Sequence, residues 1–301
     1  MAGNAVAGHV ALAMAPASGR QQRLAIAICI VSLVLFFAAV PFVREPLPRA
    51  PAFIPVYQSA LFLIDLITAL LLLGQFLRLR AAGLLVLAMG YLFDALIIVP
   101  HTLGFPDALA PGGLLGGKPQ TTAWLYVFWH AGFPLFVIFY ALLGRHRPGL
   151  TLGGGMAWIV PLAMTAVGAL VAALTLLATS GHDLLPVVMQ GNDYSLLVSK
   201  GISPSVWLLT LIAVLLLWRR DMLAVDLWMM LVMWTWLFDI ALSAVLGSSR
   251  YDLGFYAGRL FGLLSAGFLL VVMLIEMAGM QAETVRYLLR TGGRPKGPPA
   301  A

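Results

Sequence analysis

Eight runs of mostly apolar residues recur along the chain, at 24–43, 53–76, 82–102, 122–143, 156–179, 204–218, 224–247 and 253–280. An α-helix rises about 1.5 Å per residue, so about 20 such residues cross a hydrocarbon core. The sixth run is short, and its start extends back toward Val198. This pattern predicts an all-α polytopic integral membrane protein with eight transmembrane helices. With 61% hydrophobic and only 10% charged residues, a soluble enzyme and a disordered chain are excluded. The single Cys29 excludes an intramolecular disulfide.

The basic residues set the orientation. Twelve of the 18 Lys and Arg residues flank one side of the spans, among them Arg78, Arg80, Arg219, Arg220, Arg286 and Arg290. Five lie on the other side: Arg44, Arg49, Lys118, Lys200 and Arg250. Arg259 falls inside the last span. The positive-inside rule places the twelve in the cytoplasm, and with them both termini. An even number of spans follows. The pI near 9.8 then reflects topology and contact with anionic lipid, with no nucleic-acid partner. Residues 1–21 read as a disordered leader and not a cleavable signal. Residues 22–280 form the eight-helix domain, and 281–301 a cytoplasmic helical stub with a flexible tail.

An internal repeat is visible. Tyr91-Leu-Phe-Asp94 in the third span and Trp236-Leu-Phe-Asp239 in the seventh lie 145 residues apart. The same offset sets the second span on the sixth. Two tandem four-helix halves of equal orientation are expected.

Ionisable groups inside spans are costly, about 2.5–3.5 kcal/mol each near a helix centre. Asp65, Asp94, His130, Asp239, Arg259 and Glu276 are nonetheless there. Helical rise puts Asp94, His130, Asp239 and Arg259 at similar height in the outer half of the bilayer. The expected pairs are Asp239 with Arg259, and Asp94 with His130 or Arg259. Tyr126, Trp129, Tyr256 and His101 join them in one polar or ligand-binding layer. Gln58, Asp65 and Thr68 share one face of the second span. That layer either locks the helices or lines a cavity open to the outer face. Gly254, Gly258, Gly262 and Ala266 repeat at a spacing of four and predict close helix packing, within the chain or across a dimer.

No nucleotide-binding motif, Ser/His/Asp set or metal-ligand motif is present, so no catalytic residue and no metal site are expected. Any cofactor is unknown from the sequence. A haem or metal between His101 and His130 is a third-ranked reading.

Several ordered segments carry a family likeness. They include Ala52-Phe-Ile-Pro55, Phe62-Leu-Ile-Asp-Leu-Ile-Thr-Ala69, Gly90-Tyr-Leu-Phe93, Pro100-His101 and Gly104-Phe-Pro106. Gln120-Thr-Thr-Ala-Trp-Leu-Tyr126, Phe128-Trp-His130, Gly254-Phe-Tyr-Ala-Gly-Arg-Leu260 and Glu276 follow. Together they resemble the fourth class of membrane-associated sensor domains, the MASE type, over residues 22 to 280. The resemblance implies a multi-pass sensory module of the bacterial inner membrane, joined to a diguanylate cyclase or histidine kinase domain. The 25 residues after Glu276 hold no GGDEF motif and no kinase region. A non-enzymatic sensor is therefore expected, acting through a cytoplasmic partner or as a homodimer, with an unidentified small-molecule ligand. Glu276 and Arg286 are the candidate relay residues, on a helix that continues past the last span. Val285, Leu288 and Leu289 form a narrow apolar stripe on it. A carrier with a polar site between two halves is the alternative.

Overall fold

A computed structural model of the protein describes residues 16–115, 118, 120–146, 156–220 and 223–292. Residues 1–15 of the expected leader and 293–301 of the expected tail lie outside that set, as does the side chain of Leu288.

The described residues form helices and no strands, only isolated bridges. α1 (Gly19–Ala39) ends in a 3-10 turn at Val40–Phe42. It starts three residues before the expected boundary because Ser18 caps it. The Ser18 hydroxyl accepts from the Gln21 N–H at 3.3 Å, and the Gln21 side chain accepts from the Ser18 N–H at 2.9 Å. Then come α2 (Phe53–Leu79), α3 (Ala82–Gly104), α4 (Thr121–His146) and α5 (Met156–Thr179). A short α6 (Leu196–Ser199) precedes α7 (Ile202–Trp218). Gly201 at φ 72° separates them, so the sixth span does not run unbroken from Val198. α8 (Ala224–Ile240) widens into a π-helical turn at Ala241–Leu246. α9 (Leu253–Gly292) is 40 residues long. The boundary expected at 280/281 therefore falls inside one continuous helix.

Seven of these helices are long and apolar enough to cross a membrane, and α7 is a shorter apolar helix. The connections show where the helices run. The turns after α1, α3, α5 and α8 meet at one end of the bundle. Leu47 N–H donates to Tyr251 O, Tyr194 N–H to Ser248 O and Val188 N–H to the Gln120 side chain. At the opposite end Pro16 bridges Leu223, and Arg220 reaches the Tyr140 and Ala141 carbonyls. α7 thus traverses the bundle like the others. The fold is a polytopic all-helical membrane domain.

The packing is paired. α4 packs on α7 and α9 on α2; α3 packs on α5 and α8 on α1. Each contact maps onto its mate when the helices are matched by the Leu-Phe-Asp offset. Burial follows the same pairing. In the apolar windows of α3 and α8, 72% and 78% of residues are buried, against 11% in both α1 and α5. α3 and α8, which carry Asp94 and Asp239, are the central helices.

Candidate functional site

Asp239 lies in the last turn of α8, against which α9 packs. A Cβ on Gly258 would stand 2.7 Å from Ser243 Cβ and 2.9 Å from the Asp239 carbonyl. A Cβ on Gly262 would stand 2.7 Å from Asp239 Oδ2 and 2.8 Å from Tyr57 Oη. The glycine stripe therefore packs inside the chain, and it lets a carboxylate lie against a neighbouring helix backbone. The π turn begins two residues later and brings Ser243 back onto Asp239.

The partner of Asp239 is His130 of α4. His130 Nε2 lies 3.2 Å from Asp239 Oδ2, with both side chains 2% exposed. His130 Nδ1 lies 3.0 Å from the Tyr126 carbonyl. A carbonyl only accepts, so Nδ1 carries a proton. Nε2 then faces the Asp239 carboxylate across the two helices. The Tyr126 ring stacks on the imidazole at 3.8 Å, and Trp236 lies at 5.1 Å. Ser243 Oγ lies 2.7 Å from the Asp239 carbonyl and 3.1 Å from its Oδ1. Since Ser243 donates to Asp239, Tyr126 donates to Ser243, at 2.7 Å. Pro134 has no N–H to offer the His130 carbonyl one turn above it, which loosens α4 at this point.

The expected Asp239–Arg259 pair does not form. Arg259 is buried, but Nη1 donates to the Phe255 carbonyl of its own helix at 2.7 Å, and the guanidinium lies 3.5 Å over the Phe255 ring. Equal height did not become contact because helical side chains lean toward their own N-terminus. α9 starts at the end where the four connections meet, so Arg259 leans toward that end. α8 starts at the opposite end, so Asp239 leans away from it. His130 sits deeper, about 14 Å along α4, and leans up to meet Asp239.

Asp94 pairs with neither His130 nor Arg259. It is buried, as is Asp65 of the neighbouring α2. Asp94 Oδ1 and the Trp129 indole N–H are both buried without a hydrogen-bond partner among the described residues. Tyr256 leaves the layer altogether. Its hydroxyl donates to the Pro48 carbonyl at 2.8 Å and accepts from the Ala50 N–H at 3.2 Å, within the surface turns. His101 is buried and its Nδ1 lies 2.7 Å from Gln58 Nε2. With the amide donating, the neutral ring carries its proton on Nε2.

Between His101 and the π turn lies a cavity of about 40 Å³, room for a few waters. Its polar lining comes from His101, Thr122, Tyr126, Tyr194, Ser243 and Arg250. Arg250 Nη2 donates to Thr122 Oγ1 at 2.6 Å. Burial lowers its guanidinium to about 10, which leaves it charged at neutral pH. Among the described residues, no group of three His, Cys, Asp or Glu side chains is placed to hold a metal ion.

Arg250, Tyr194 and Ser243 are missing from the expected layer. Ser243 stands four residues after Asp239, a spacing that marks it. Arg250 and Tyr194 come from connections, where no periodicity points. Of the relay residues, Glu276 is half-buried on α9 and Arg286 is exposed beyond the apolar stretch. At the opposite end, Asp226 is buried with Arg220 Nε at 3.0 Å and the Tyr140 hydroxyl at 2.6 Å. This clasp was not expected, because Asp226 sits at a span border where charges are ordinary.

No curated protein and no solved structure matches the chain. A family model of a membrane-associated sensor, integral membrane domain, matches residues 48–280. That stretch contains α2 to most of α9, the His130–Asp239 pair and the cavity, and the chain therefore belongs to the MASE4 family of membrane-associated sensors.

Proposed function

We propose that the protein is a non-enzymatic sensory module of the bacterial inner membrane with both termini cytoplasmic. A signal arriving at the outer face or within the membrane acts on the buried cluster of His130, Asp239 and Arg259. α9 relays it past Glu276 and Arg286 to a cytoplasmic partner. One observation carries this reading: α9 is a single helix from Leu253 to Gly292. Its first turns hold Arg259 and seat Gly258 and Gly262 on Asp239. Its last turns extend beyond the apolar stretch that ends at Gly279. A helix shift of about 1–2 Å at the cluster would be carried along that length. The membership in a sensor family supports the same role.

Hydrogen exchange of residues 281–292 in lipid nanodiscs tests it. His130→Ala, which unseats Asp239, is expected to change exchange in that segment. Identical exchange in the variant and the parent would overturn the relay.

The paired packing of α4 on α7 and α9 on α2 favours a second reading, a carrier with its site between two halves. Solute uptake into proteoliposomes that depends on Asp94 or Asp239 would decide for the carrier.

A further inference from the structure

Arg250 is a half-buried cation without an anion. No carboxylate lies within 4 Å of it among the described residues, where the ion pairs are formed by other groups. Nη2 is engaged by Thr122 Oγ1 and by Met189 Sδ at 3.4 Å. Its remaining N–H groups have no acceptor among the described residues. Tyr194 also lines the cavity. It is 6% exposed, and its hydroxyl is buried with no hydrogen-bond partner. His101 adds a ring N–H on Nε2. The lining holds no carboxylate. A buried, unpartnered hydroxyl beside a positive charge, with no carboxylate in the lining, is complementary to a negative ligand.

The charges nearby agree. The Asp239 carboxylate is taken up by His130. Asp252 accepts from the N–H groups of Ser248, Ser249 and Phe255, at 3.1, 3.1 and 2.7 Å, and so caps α9. Asp193, next in chain to Tyr194, accepts from the Ser195 N–H at 2.7 Å, so both nearby carboxylates are engaged by backbone N–H groups and neither reaches Arg250.

We propose that this cavity binds a small monovalent anion of chloride or nitrate size, held by the Arg250 guanidinium and the Tyr194 hydroxyl. The site deepens the sensory reading, on which its signalling role rests, by naming a ligand class. About 40 Å³ admits an ion of that size and is too small to enclose a sugar acid such as gluconate. The apolar walls of Phe105, Leu197 and Ala244 favour a weakly hydrated ion over a strongly hydrated one.

The test is thermal unfolding of the full chain in detergent, with sodium chloride or nitrate replacing sodium gluconate at constant ionic strength. A saturable rise in Tm of about 2 °C or more is expected. Arg250→Gln should abolish it, and Tyr194→Phe should weaken the apparent affinity at least threefold while leaving the fold intact. Arg250→Lys, which keeps the charge, should retain part of it. A rise that does not saturate would overturn the site. So would one that matches gluconate, or one that is unchanged in Tyr194→Phe and Arg250→Lys. Binding is read on the isolated protein, so its failure leaves the relay to stand or fall on the exchange of residues 281–292. Binding without any change in that segment would spare the site and overturn the relay.

Discussion

His130 Nε2 meets Asp239 Oδ2 at 3.2 Å across α4 and α8, and each side chain is almost wholly removed from solvent. Breaking such a pair from one side strands the other partner. His130→Ala is expected to cost about 3–5 kcal/mol, and Asp239→Ala a similar amount. The double variant should lose clearly less than the sum. A thermodynamic cycle measured by reversible unfolding in mixed micelles checks this. The coupling of Asp239 with Arg259, which no ion pair joins, should be smaller than that of Asp239 with His130.

Glycine has unequal roles along α9. Gly258→Ala drives a Cβ to within 2.7 Å of Ser243 Cβ and 2.9 Å of backbone, so it should cost about 1–3 kcal/mol. Gly267→Ala meets nothing within 4 Å and should be neutral or gain up to about 1 kcal/mol from helix propensity. Thermal unfolding of the two variants, side by side, separates packing from propensity.

The clasp at the basic end makes a third prediction. Arg220→Ala removes the cation facing Asp226, which is 1% exposed, and should cost about 3–5 kcal/mol. Replacing both residues by Gln and Asn should recover part of that loss. Hydrogen exchange at the α7–α8 turn should rise in the single variant.

Topology is checked with two cysteines in a Cys29→Ser background. Val187 and Val285 are both exposed, at opposite ends of the bundle. In intact cells an impermeant thiol reagent should label Val187→Cys and not Val285→Cys. The reverse pattern would invert the orientation.

The sequence made the central helices legible but not their partners. Asp94 and Asp239 stood out because a carboxylate in an apolar run is costly, and the Leu-Phe-Asp repeat tied them together. Height in the bilayer does not fix their pairing. The direction in which side chains lean decides that Arg259 turns back to Phe255 and that His130 takes Asp239. Core and lipid faces are equally apolar here, so hydrophobic periodicity said little about which residues are buried. Arg250 and Tyr194 carry no periodic signal, because connections brought together from distant parts of the chain place them. Tyr256, read as part of the polar layer, was too near the end of α9 to reach it.

The central claim is that the buried cluster and the end of α9 move together. Spin labels on Arg78→Cys and Val285→Cys, in the Cys29→Ser background, report the distance between the exposed ends of α2 and α9 in nanodiscs. The account predicts that Asp239→Asn shifts this distance distribution by about 1–2 Å or more relative to the parent. Superimposable distributions from two well-folded samples would contradict it.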